Sequence, residues 1–275
     1  MVVWWILARL GLLSSERVLF HGLGDNRSPL ATMVVAYGGA AGILWLAAWV
    51  MGVGRFVPQA FWPGAVYALS FGLYTTSLAK GEVGQVSAWA NATPVMLFLW
   101  HPTGTYWAWV AVAGFVAGAF WLGGVGRHFS RGVLWMVLSD LVLVAGRLMD
   151  VAHAGLNPLG YAASLYLTVT LWMAVVALAY GQLGAAGKLL RERPLWSAGA
   201  AAANGGSYLT LFFLLGMMPV TLIEVISALA GVGATVIGVI GFHEQGRSRK
   251  ILSATMMTLA VVLLLYDHRG LLRVQ

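Results

Sequence analysis

Trp5-Ile6-Leu7, followed by Arg17 and then Pro29, recurs as Trp135-Met136-Val137, followed by Arg147 and then Pro158. The Trp and Arg pairs stand 130 residues apart and the prolines 129. Leu44-Trp45 and Leu171-Trp172 extend the match at 127, and Gly72-x-Tyr74-x-Thr76 and Gly206-x-Tyr208-x-Thr210 at 134. These stretches are apolar, so the chain reads as one unit of membrane helices written twice. Such duplication is the pattern of transporters whose site lies between two halves.

Composition agrees. Of 275 residues, 60% are hydrophobic and only 9% charged, and the mean hydropathy is +0.83. A soluble domain carries roughly 25% charged residues, so most of this chain expects lipid as its solvent. There is no cysteine, which excludes disulfides, thiol catalysis and thiolate metal sites. The formal charge of +7 comes from short loops between apolar runs, where basic residues set topology and meet anionic lipid. Nucleic acid is not an expected partner. Residues 2–22 lack a basic leader and a small-residue cleavage site, so they read as a retained first helix.

A spanning helix needs ~20 mostly apolar residues. Ten such stretches are expected: 2–22, 30–52, 61–79, 83–100, 105–125, 132–153, 158–181, 195–215, 219–242 and 251–267. Gly, Pro and charge clusters mark the breaks, as in Arg127 to Arg131 and Lys188 to Pro194. The third and fourth are separated only by Lys80-Gly81-Glu82, so nine helices is the other count that fits. The expected fold is an all-α membrane protein with ten transmembrane helices. Residues 1–126 form one five-helix repeat and 131–275 the second. Five is odd, so the second repeat enters from the opposite side and the repeat is inverted. Gly114-x-x-x-Gly118 and the pair Gly231 and Gly238 suit close packing of helices in lipid.

Two segments resemble the paired EamA-like domains of the drug/metabolite transporter superfamily. Tyr74-Thr75-Thr76-Ser77-Leu78-Ala79, then Val86-Ser87-Ala88, then Asn91-Ala92-Thr93-Pro94-Val95 is similar to that family's third-to-fourth helix junction, with its mid-helix proline. Ala228 to Gly241, then Glu244, then the apolar run 251–265 resembles its ninth helix and the start of its last. The chain departs from the pattern at Trp100-His101-Pro102, where a glutamate would stand. It departs again at Ala228, where a proline would fall; Pro219 opens that helix instead. The resemblance implies a secondary transporter or exporter of small metabolites in a bacterial inner (plasma) membrane, with a central cavity reached from alternate sides. It also implies both termini in the cytoplasm. The loop charges argue the reverse, because the odd-numbered loops hold Arg27, Lys80, Arg127, Arg131, Lys188, Arg191, Arg193, Arg247, Arg249 and Lys250. Orientation stays open.

Ionisable side chains inside a bilayer cost at least ~2.5–3.5 kcal/mol each, so they face a cavity or one another. The first helix carries Arg9, Glu16 and Arg17, and the sixth Asp140, Arg147 and Asp150. Arg9 and Glu16 are seven apart, as are Asp140 and Arg147, so each pair shares a helix face. If these helices run antiparallel, Glu16 lies at the depth of Asp140 and Arg9 at that of Arg147. At ~1.5 Å per residue this gives an acidic and a basic layer on the order of 10 Å apart. A zwitterion could bridge the layers; an internal salt-bridge network fits the same pattern. Arg17 is near enough to the helix end to reach the interface. Glu224, after Pro219, is a buried group able to take a proton, or else a cap on a helix start. Glu244 and Lys80-Gly81-Glu82 read as interface charges.

Asn91, Asn204, Tyr74 and Tyr208 can bind a substrate or neighbouring backbone. Trp89, one turn from Thr93, could close an aromatic wall over a cation. The expected substrate site is therefore Glu16, Tyr74, Trp89, Asn91, Asp140, Arg147, Asn204, Tyr208 and Glu224. No catalytic residue, metal or cofactor is expected: the six histidines form no ligand set and there is no phosphate-binding loop. The expected function is transport of a small polar or amphipathic metabolite, amino acid or amine-like, by alternating access. Its partners would be that substrate, membrane lipid and protons, and the chain would act as monomer or homodimer. A lipid-handling protein or an intramembrane enzyme acting on a lipid head group is the alternative.

Overall fold

Pro29 and Pro158 each open a helix, and each sits behind a capping side chain. Ser28 Oγ accepts the Ala31 amide at 3.4 Å, and Asn157 Oδ1 accepts the Gly160 amide at 2.9 Å. Proline suits the first helical position because its missing N–H would have had no helical partner. The two helices, α2 (Pro29–Val50) and α8 (Pro158–Ala179), also end alike. Gly52 (φ 70°) and Gly181 (φ 65°) take the left-handed conformation just past them, where a side chain would be strained.

The structure is a computed structural model that describes residues 2–24, 27–100, 102, 106–123, 130–153, 157–215, 217 and 220–267. The remaining elements are α1 (Val2–Gly24), α3 (Phe61–Lys80), α4 (Val83–Trp89), α5 (Thr93–Trp100), α6 (Tyr106–Gly123), α7 (Arg131–His153), α9 (Leu183–Glu192), α10 (Pro194–Leu215), α11 (Val220–Gly241) and α12 (Arg247–Asp267). A 3₁₀ turn, Pro58–Ala60, leads into α3. No strand occurs among the described residues. Among the described residues, four helices are long and apolar enough to cross a membrane: α2, α7 over Arg131–Met149, α8, and α12 over Arg247–Tyr266. This is the mark of a membrane protein. Helix α1 misses that standard because Arg9, Glu16 and Arg17 crowd one helix.

Two elements differ from expectation. The stretch 83–100 is not one helix. It stops at Trp89 and restarts at Thr93, and the intervening turn is tightened by Asn91 N–H to Ala88 O (3.4 Å) and Ala92 N–H to Trp89 O (2.9 Å). Pro94 explains the interruption: it has no N–H to give, and its ring crowds the carbonyl four residues back, at Ala90. The segment before Pro194 is also more than a break. It forms α9, a short helix with Ala186 and Leu189 buried and Lys188 and Arg191 exposed. Ten residues are too few to span, so this amphipathic stretch gives no spanning signal.

Helix α1 packs on α10 and α11, and α7 packs on α3 and on both pieces of the interrupted helix. Helix α2 lies against α8, α6 against α12, and α4 against α11. One apolar core gathers Phe20, Tyr37, Phe71 and Tyr166 between α1, α2, α3 and α8. A second gathers Phe98, Phe115, Met257 and Val261 between α5, α6 and α12.

Small residues set these contacts. At Gly118 a Cβ would fall 2.8 Å from Met257 on α12, and at Gly238 it would fall 2.6 Å from Val83 on α4. At Gly132 it would meet the Gly81 Cα at 2.7 Å, backbone against backbone, so nothing can swing aside. Gly132→Ala is therefore expected to destabilise by about 1–3 kcal/mol. Gly42→Ala, with nothing within 4 Å of the added carbon, is expected to be neutral or stabilising by up to ~1 kcal/mol. Unfolding of the two variants in mixed micelles checks the contrast.

Candidate functional site

Helix α1 carries three charges into the interior, each no more than 7% exposed. Arg9 donates Nη1 to Ser207 O at 2.7 Å on α10, and Nη2 to Ser227 Oγ at 2.8 Å on α11. Glu16 accepts from Ser207 Oγ and from Tyr74 OH, both at 3.4 Å. The two charges thus meet one residue, Ser207, as their seven-residue spacing requires. Arg17 does not reach for the interface. Its Nη1 donates to Ser87 O on α4 at 2.7 Å, and it lies beside Tyr74 and Glu16.

Asp140 is 3% exposed on α7. Its Oδ1 accepts from Thr93 Oγ1 at 3.0 Å, at the restart of the interrupted helix, and the Ala92 amide is close by. Its Oδ2 is buried without a hydrogen-bond partner among the described residues. Arg17 lies near this carboxylate, and Arg17 and Arg9 both lie near Glu16. Helices α1 and α7 meet through α3 and α4, which both contact. Two guanidinium and two carboxylate groups thus occupy one buried region, with formal charges that cancel.

The amides and phenols surround it. Asn91, in the interrupted turn, donates Nδ2 to Ala228 O and to Thr258 Oγ1, each at 3.1 Å. It therefore ties that turn to α11 and α12. Gly231 leaves the room: a Cβ there would lie 2.5 Å from Asn91 Nδ2 and 3.1 Å from Arg17 Nη1. Asn204 accepts the Tyr166 hydroxyl at 2.8 Å, while its Nδ2 is buried without a partner among the described residues. Tyr208 meets Tyr166 edge-on at 4.7 Å, and Tyr74 meets Phe20 edge-on at 6.1 Å. Between them Tyr37 stacks on Phe71 at 4.8 Å. Trp89 is half-buried with its ring edge-on to Phe115 at 6.1 Å.

Of the expected residues, Glu16 and Tyr74 touch directly, and Arg17 links them to Asp140. Asn91 adjoins Arg17 across Gly231, while Asn204 and Tyr208 share Tyr166. Arg147 is half-buried on α7, one face-repeat beyond Asp140. The Glu224 side chain lies outside the described residues. Sequence reasoning passes over Arg17, Thr93, Ser207 and Ser227 as site residues, and over Tyr37 and Tyr166. The last two were within reach: they stand 129 residues apart, the offset of the two prolines.

Two grooves open beside the ends of α1 and α11. One, of 740 Å³, is lined by His21, Arg193, Trp196 and Phe242. The other, of 510 Å³, is lined by His21, Lys80, Glu82, Phe242 and Glu244. His21 and Phe242, edge-on at 4.5 Å, divide them. No group of three potential metal ligands occurs among the described residues.

No family model and no curated protein matches the chain. A solved crystal structure is similar over 98% of this chain and 98% of its own, with a TM-score of 0.57 and 14% identity. At that identity the likeness concerns the fold alone, and its coverage extends it to the whole helical arrangement.

Proposed function

We propose that this protein is a secondary transporter of the drug/metabolite type. It would move a small polar or amphipathic metabolite, amino acid or amine-like, across a bacterial plasma membrane. In this reading ten spans cross the bilayer, with α4 and α5 as one interrupted span and α9 at the interface. The spans form two inverted repeats, 1–126 and 131–275.

The packing supports the repeat. Exchanging the halves turns the α3–α7 contact into α10–α1, α2–α10 into α8–α3, and α1–α11 into the contact of α7 with the interrupted helix; all occur. The matching caps and terminal glycines of α2 and α8 support it too. So do Thr93 and Ser227, which stand 134 residues apart, the offset of the Gly-x-Tyr-x-Thr pair. One holds Asp140 and the other Arg9, an anion and a cation at related seams.

The observation that carries the function is the buried cluster of Arg9, Glu16, Arg17 and Asp140. Charges in lipid are costly, and a purely structural cluster would satisfy all of its polar atoms. Among the described residues, Asp140 Oδ2 and Asn204 Nδ2 have no hydrogen-bond partner: an acceptor suited to an ammonium and a donor suited to a carboxylate. Glu16 and Asp140 could also carry the coupling proton. The test is counterflow in proteoliposomes with a panel of labelled amino acids and amines, with and without a pH gradient. Saturable exchange of at least one zwitterion or amine is expected. Folded protein that exchanges none of them sinks the reading.

A further inference from the structure

A dense ionic contact among the described residues lies away from the charged cluster. Lys250 Nζ is 2.9 Å from Glu244 Oε2 and 2.8 Å from Glu82 Oε2. Both Glu244 oxygens accept the Gly84 amide at 3.1 Å. Thr235 Oγ1 adds a bond to Gly84 O at 3.3 Å. Lys250 is 3% exposed and Glu244 8%, so both charged groups are enclosed by protein. Glu82 and Gly84 precede and open α4, whereas Glu244 and Lys250 belong to the turn between α11 and α12 and the start of α12. The contact therefore joins the two halves of the chain.

Its place in the fold gives it a consequence. On one side, Glu82 and Glu244 line the 510 Å³ groove. On the other, one turn along α4 from Gly84, the Ser87 carbonyl holds Arg17. Helix α4 is only two turns long, and the interrupted turn at 90–92 separates it from α5. It is thus a short rigid piece between groove and charged cluster, tied down at one end and jointed at the other. Its seam with α11 is lined by glycine. A Cβ at Gly84 would fall 2.6 Å from Val239, and one at Gly238 would fall 2.6 Å from Val83. Val239 thus seats on Gly84 and Val83 on Gly238, so each helix offers the other a small residue and the two can separate by moving directly apart.

We propose that α4 is a gate on this face of the membrane. The joint is Ala90–Ala92, and the Glu82–Lys250–Glu244 contact holds the gate shut. When it opens, the Ser87 carbonyl leaves Arg17, and Arg17 and Glu16 face the groove. An ionic latch suits such a device because its charges regain hydration once the mouth fills with water, which offsets the contact that is lost. The gate rests on the transport reading for its purpose, but its motion can be measured without a substrate.

The chain has no cysteine, so one engineered thiol reports on one place. S87C puts it on α4, where Ser87 is fully buried, and S164C puts it at an equally buried position on α8 as control. Each is made in the otherwise unaltered protein and in E82Q, E244Q and K250M backgrounds, in lipid nanodiscs, and reacted with a water-soluble maleimide. Losing a charge-assisted hydrogen bond shifts a two-state equilibrium by roughly ten- to hundredfold. Labelling of S87C is expected to accelerate by about that factor in E244Q and K250M, and by up to about fivefold in E82Q, whose carboxylate is half exposed, with S164C unchanged. Glu82 is half exposed (53%), so E82Q keeps its fold even if loss of the buried lysine does not. Unchanged S87C labelling in E82Q and in every folded variant overturns the gate, as does an equal rise at S164C, which would report general loosening. A chain that transports nothing on the substrate panel would leave either outcome readable.

Discussion

Arg17→Met is expected to lower the unfolding free energy by about 3–5 kcal/mol, the usual consequence of removing one partner from a buried ionic group. Arg17 is 7% exposed and lies near both Glu16 and Asp140, whereas Arg9 acts on Glu16. Its loss leaves two carboxylates buried with one fewer neutralising charge, and it orphans the Ser87 carbonyl. Adding Glu16→Gln should recover a good part of the deficit, because the remaining charges, Arg9 and Asp140, again cancel. Such non-additivity is the signature of coupled charges. Unfolding of the single and double variants in mixed micelles provides the measure. A single variant within ~1 kcal/mol of the parent, or a double variant no better than additive, would remove Arg17 from the centre of the cluster.

Asp140→Asn is expected to reduce counterflow by roughly 30- to 5000-fold while leaving the protein folded. That range is what losing one member of a buried charge contact costs, about 2–5 kcal/mol. Asparagine keeps the volume and still accepts from Thr93 Oγ1, now seen at 3.0 Å. What disappears is the negative charge, including the oxygen that has no hydrogen-bond partner among the described residues. Arg147→Ala tests the other end of the same helix face. If Arg147 meets the substrate carboxylate, counterflow falls with folding intact. Unchanged counterflow in both variants would end the two-layer site.

The helices were legible because an apolar run of twenty residues has few uses other than crossing lipid, and hydropathy belongs to the run itself. The caps were legible for a similar reason: Ser28-Pro29 and Asn157-Pro158 carry their partners within three residues. Pro94 announced a disturbance in its helix, but proline can kink a helix or break it. The choice depended on Asn91 finding Ala228 and Thr258 on other helices. Helix α9 was hidden because ten amphipathic residues resemble a charged loop until Ala186 and Leu189 have something to pack against. Glu244 read as an interface charge from its sequence alone; its partners, Gly84 and Lys250, appear only in the packed structure.

For the charged cluster the division is the same. The seven-residue spacing of Arg9 and Glu16 is a property of one helix, and it places both on one face in any fold. That this face meets Ser207, that Arg17 turns inward to Ser87, and that Asp140 accepts from Thr93 are properties of pairs of helices. Periodicity and hydropathy are summed along a single chain segment and survive without neighbours. Partnership between polar atoms depends on which segments face each other and at what depth, so only the packed bundle assigns it.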